Sequence, residues 1–176
     1  MTGREQEEYG ALRATIRERG TARVWVFLTG IAAWAAITIA TAALASTPVA
    51  TLLPLLVLAA VFEAVFALHV GVERVGRYIQ VFYETEETHP RWEHTAMAFG
   101  RPKGAATTDA LFSIPFLVAG LVNVAPAMIT QPTAAELVFI GGAHALFMLR
   151  LLAARGAAAR QRAIDLERFQ QIKRGA

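Results

Sequence analysis

Apolar residues in this chain come in long blocks. No charged residue occurs from position 24 to position 62, a run of 39, or from 110 to 135, a run of 26. A helical crossing of a bilayer core takes ~20 apolar residues, so the first block is long enough for two crossings. Ser46-Thr47-Pro48 interrupts it, and proline suits the first turn of a helix, where its missing N–H would have had no partner anyway. The pattern predicts spans at about 24–45 and 49–72 joined by a very tight turn, then spans at about 110–130 and 134–154. Gln131-Pro132-Thr133 makes the second turn, with Thr133 as a candidate N-cap. The expected fold class is an all-α integral membrane protein: four transmembrane helices in two tight hairpins, helical cytoplasmic extensions, and N- and C-termini cytoplasmic.

The flanks are modest. Residues 1–23 carry Leu12 and Ile16 among Arg13, Arg17 and Arg19, the layout of a short amphipathic helix lying on a lipid surface. The second span is expected to continue as a helix through residue 84, with Val75, Ile79 and Phe82 at i, i+4, i+7 and Glu73 paired to Arg77. Residues 73–109 form the cytoplasmic loop, with a turn at Gly100-Arg101-Pro102-Lys103-Gly104, and residues 155–176 a basic, helix-prone tail. Ala43-Leu44-Ala45 before Ser46 has the form of a signal-peptidase site, but the polar leader and the apolar stretch are both long for a signal peptide, so a retained anchor is the preferred reading.

Composition sharpens this picture. Of the 176 residues 55% are hydrophobic, and the mean hydropathy is +0.42, against ~45–50% apolar in soluble domains. An ordinary soluble enzyme and a disordered chain are excluded. With no cysteine there is no disulfide framework, thiolate metal site or cysteine nucleophile. The pI of about 9.8 does not indicate nucleic acid, because the basic residues flank apolar spans. Of the 17 Lys and Arg residues, five fall in 1–23, five in 73–109 and seven from 150 onward, while the two short turns carry none. The positive-inside rule puts all three basic segments on the cytoplasmic face of the inner (plasma) membrane. Anionic headgroups there attract each nearby cation by ~1 kcal/mol.

Polar residues at membrane depth are the best chemical clue. A charge near the bilayer centre costs ~2.5–3.5 kcal/mol on insertion scales, so such residues usually have a partner or a role. They are Glu63 and His69 in the second span, Asn123 in the third, and His144 and Arg150 in the fourth; Glu136 sits at the outer rim. At 1.5 Å per residue, Glu63, Asn123 and His144 fall within about 5 Å of the midplane, and His69 and Arg150 about 9 Å nearer the cytoplasm. A midplane Glu63/His144 pair would suit proton handling or cation binding, because burial disfavours a charged carboxyl and an imidazole titrates near neutrality. The alternative is that a protonated Glu63 bonds His144 or Asn123 and only locks the helices. His69 shares a face with Glu73, and Arg150 is expected to reach headgroups or pair with Glu73.

No metal or cofactor is expected. His69 with Glu73 offers two ligands where zinc needs three or more, the Glu-x-x-His pairs of a di-iron bundle are absent from the spans, and His69 and His144 differ by about 9 Å in depth, too much for a shared haem. The acidic, histidine-bearing stretch 84–94 reads as a solvated charge run, with a divalent-cation site as the alternative. Ala32, Ala36 and Ala40, and Gly141 with Ala145, repeat at four-residue spacing, which lets helices approach closely within the bundle or between protomers. Pro126 should kink the third span, and Trp25 reads as an interfacial anchor. No phosphate loop, hydrolase grouping or zinc-protease pattern occurs.

Four spans with one embedded glutamate are similar in outline to small proton-coupled drug exporters. Here the glutamate is in the second span and the chain has a large cytoplasmic loop and tail, so no residue is carried over. The expected function is that of a non-catalytic membrane subunit or interaction module, working with the lipid bilayer and with a homo-oligomer or membrane-protein partner. The alternatives are an oligomeric proton- or cation-coupled transporter or channel using Glu63 and His144, and a metal- or cofactor-binding bundle.

Overall fold

A computed structural model describes residues 2–44, 47–84, 91–99 and 109–175. All secondary structure among them is helical: α1 (Gly3–Leu44), a 3-10 turn (Pro48–Thr51), α2 (Leu52–Phe82), α3 (Trp92–Phe99), α4 (Ser113–Val122), α5 (Ala125–Ile129) and α6 (Ala134–Gly175). Three helical stretches are long and apolar enough to cross a membrane, Gly3–Leu44, Pro48–Phe82 and Ala134–Gly175, and Ser113–Ile129 is a shorter apolar one. Part of the candidate cleavage site (Ala45, Ser46), the turn at residues 100–104 and residues 85–90 of the acidic stretch lie outside the described residues.

Several boundaries differ from expectation. The segment 3–22 is not a separate surface helix but the first half of the unbroken α1, and residues 155–175 continue α6 without a break. The predicted third span is two helices. Pro126 has no N–H to give the carbonyl four residues back, and α4 stops at Val122. The start of α4 is also three residues later than predicted. Phe112 before it is left-handed at φ 51°, and the Asp109 carboxylate accepts the Ile114 N–H at 3.0 Å in place of a side-chain cap. Thr133 does cap α6. Its Oγ accepts the Glu136 N–H at 3.3 Å, and the Glu136 carboxylate accepts the Thr133 N–H at 2.9 Å, a reciprocal capping box.

The chain divides into two compact units. One comprises Arg23–Phe66 and Asp109–Arg155. Its core is built on α2, where Leu55, Leu58, Phe62 and Val65 recur at helical spacing and meet Phe116 and Ala119 of α4 and Phe147 and Leu151 of α6. Phe62 packs edge-on against Phe116, with ring centroids 5.3 Å apart, and Phe27 of α1 stacks on Phe112 at 4.1 Å. Gly30 is the buried residue of α1, and a Cβ there would collide with Val61. The repeated Ala32, Ala36 and Ala40, and Gly141 with Ala145, are exposed instead, so they do not pack this unit together.

The other unit comprises Met1–Ala22, Ala67–Thr108 and Gly156–Ala176. Ion pairs tie its helices together. Glu73 takes Arg162 at 3.0 Å, Asp165 takes Arg74 at 3.0 Å, and Glu93 of α3 is buried between Arg13 at 2.9 Å and Arg77 at 3.2 Å. Gly76 makes room for that carboxylate, since a Cβ there would meet it at 2.8 Å. The expected Glu73–Arg77 pair is therefore replaced, each residue having found a partner distant in sequence.

Candidate functional site

Two polar sites form in the unit 23–66/109–155, and they divide the predicted residues between them. In the first, Asn123 is fully buried at the break between α4 and α5, where the chain leaves the helical pattern. Its Oδ1 accepts the Trp34 indole N–H at 3.0 Å. Its Nδ2 donates to the Thr51 carbonyl at 2.8 Å and faces His144 Nε2 at 3.0 Å. His144 Nδ1 lies 2.8 Å from the Ile140 carbonyl, which can only accept. Nδ1 therefore carries the proton and Nε2 accepts from the amide. Both amide hydrogens of Asn123 and both ring nitrogens of His144 are in use. The cluster links α1, the turn before α2, the α4–α5 break and α6.

In the second site, Arg150 of α6 grips Glu63 of α2 with two parallel bonds, Nε to Oε1 at 2.8 Å and Nη2 to Oε2 at 2.9 Å. This fork is the strongest geometry available to an arginine and a carboxylate. Its guanidinium also lies 4.4 Å from the centroid of the Phe66 ring and 5.6 Å from that of Phe62, a cation–π arrangement. The pair is not enclosed, because the side chains of Glu63 and Arg150 are 51% and 35% exposed. It closes one end of an apolar groove of about 470 Å³ between α2 and α6, walled by Leu52, Leu56, Ala59, Ala143 and Leu146.

The expected Glu63/His144 pair is thus corrected: among the described residues Glu63 bonds to Arg150 and His144 to Asn123. Arg150 does not pair with Glu73. Depth arithmetic held the clue, since Glu63 and Arg150 differ by only about 5 Å in predicted height, less than an arginine side chain reaches. His69 lies 3.9 Å from Glu73 on the shared face predicted for it. Trp34 and Thr51 were missed. A tryptophan in a charge-free run was the available signal, because a buried indole N–H requires an acceptor.

In the other unit, the described part of the acidic stretch is occupied by internal bonds. Glu84 accepts the backbone N–H groups of Glu93 and His94 at 2.7 and 2.9 Å, and its Oε2 lies 2.8 Å from His94 Nδ1. Burial by itself would raise the Glu84 pKa, but the two N–H groups and His94 outweigh it and hold the carboxyl below its ordinary 4.5. Among the described residues no three His, Asp or Glu side chains come together as metal ligands.

Comparison with protein-family models, with curated proteins and with solved structures returned no match. What the structure itself defines is an all-helical chain with three helices suited to crossing a membrane.

Proposed function

We propose that this chain is a four-span inner-membrane protein, with both termini cytoplasmic, that acts as a non-catalytic membrane subunit or interaction module. The Lys and Arg distribution supports the orientation. Residues 113–129, at the short end of the ~17–25 residues of a crossing, supply the third span, and the Asn123 side chain at its break has its amide oxygen and nitrogen bonded within the unit.

One observation carries the reading: the Glu63–Arg150 pair lies on the outside of its unit, at the end of an apolar groove. Intramembrane charges usually face a protein interior, so a pair facing outward marks a surface made to be covered by protein. Coupled transport draws less support, because the acid and the imidazole have different partners and the imidazole has no free nitrogen. The test is ion flux in proteoliposomes carrying a proton gradient. The interaction module gives no flux above protein-free vesicles, whereas flux that disappears in Glu63→Gln overturns it.

A further inference from the structure

We propose that the groove between α2 and α6 is the docking surface for a second copy of this chain, in an isologous pair centred on Glu63 and Arg150. This rests on the membrane interaction reading above and names the partner.

Residue spacing around the groove calls for a helix. Apart from the buried Leu55 and Phe147, its wall on α2 is Leu52, Leu56, Ala59 and Glu63, at steps of four, three and four, and on α6 it is Ala143, Leu146 and Arg150, at steps of three and four. Alternating steps of three and four make the 3.5-residue repeat of a helix-packing seam. Leu56 and Leu146 are 65% and 70% exposed, so none of the described helices fills it. Beside the seam on α6, Gly141 and Gly142 are open, and a Cβ at either would meet nothing within 4 Å. Glycines there let a partner backbone come close.

Charge selects which helix. The forked pair leaves a local dipole on the surface, with a half-exposed carboxylate on α2 and a guanidinium on α6. Lipid tails or a neutral helix would bury it without compensation. The same pair turned by a two-fold axis compensates the part of it that lies in the membrane plane, because the carboxylate of each copy then faces the guanidinium of the other. An isologous interface requires this self-complementarity. Copies inserted with one orientation are related by an axis along the membrane normal, which brings the two pairs to equal depth.

The chain has no cysteine, so single cysteines report directly. Chains with Leu56→Cys and chains with Leu146→Cys, expressed together and oxidised in membranes, are expected to give a disulfide-linked species at twice the 19.0 kDa chain mass. Leu28→Cys on α1, exposed but away from the groove, is expected to stay monomeric. These variants keep the ion pair, so the outcome does not depend on how charge variants fold. In the co-expressed Leu56→Cys and Leu146→Cys chains, Glu63→Gln is expected to reduce the cross-linked fraction about tenfold. The exchange Glu63→Arg with Arg150→Glu is expected to restore it, since a reversed dipole is equally self-complementary. A monomer in the co-expressed pair overturns self-pairing. A cross-link from Leu56→Cys to a different protein also overturns it but leaves the interaction module standing, whereas a monomer accompanied by Glu63-dependent proton flux overturns both.

Discussion

Asn123 shows how much one buried side chain decides. It is the only partner of the Trp34 indole among the described residues, it bonds the Thr51 carbonyl, and it sets the tautomer of His144. Interhelical bonds in membranes average ~0.6 kcal/mol each, so Asn123→Leu, which removes three, is expected to destabilise the protein by about 2 kcal/mol. Thermal unfolding in detergent checks this, and a loss below about 0.5 kcal/mol would show the cluster to be incidental. Glu63 teaches the complementary lesson. Its place in an apolar helix was legible in the sequence, but its pairing was misjudged, because arginine reaches further along the helix axis than histidine.

Among the elements, helix ends carry the most readable chemistry. The capping box at Thr133 and Glu136 follows from two residues three apart. The cap of α3 does not, because Glu84 comes from the end of α2 and lies eight residues before Trp92. A carboxyl held below 4.5 stabilises the folded state above that value, and the contribution is lost as pH falls from 4.5 through the lower folded pKa. Glu84→Gln is therefore expected to melt at a lower temperature than the wild type at pH 7, with the gap closing as pH falls below 4.5. A gap that stays constant over that range would exclude the ionic cap. The broken third span is a mixed case. Pro126 foretold the interruption, but not that Asn123 at the break finds Trp34, Thr51 and His144 on other elements.

For the whole molecule, the proposed topology makes a direct prediction. Cysteines placed at Thr2 and at Lys173 in the otherwise cysteine-free chain are expected to react with a membrane-impermeant maleimide only after inverted membranes are exposed or cells are permeabilised. Reaction of either in intact cells would reverse the orientation and remove the basis for four crossings. The ends of α1 and α6 are more than the headgroup-binding arms their sequence suggested. Arg13, Arg162 and Lys173 bond to Glu93, Glu73 and the Val81 carbonyl within their unit, which a basic composition cannot reveal because it records charge and not partners. The sequence alone determined the helical class, the apolar segments, the break at Pro126 and the cap at Thr133. Each of these depends on spacing along one chain segment, and backbone sterics and hydrophobic periodicity act at that range. Tertiary structure alone decided that Glu63 meets Arg150 while His144 meets Asn123, that Glu73 and Arg77 part, and that the alanine repeat of α1 faces outward. Those outcomes depend on the rotation of each helix about its axis, which is set by neighbours tens of residues away in the chain.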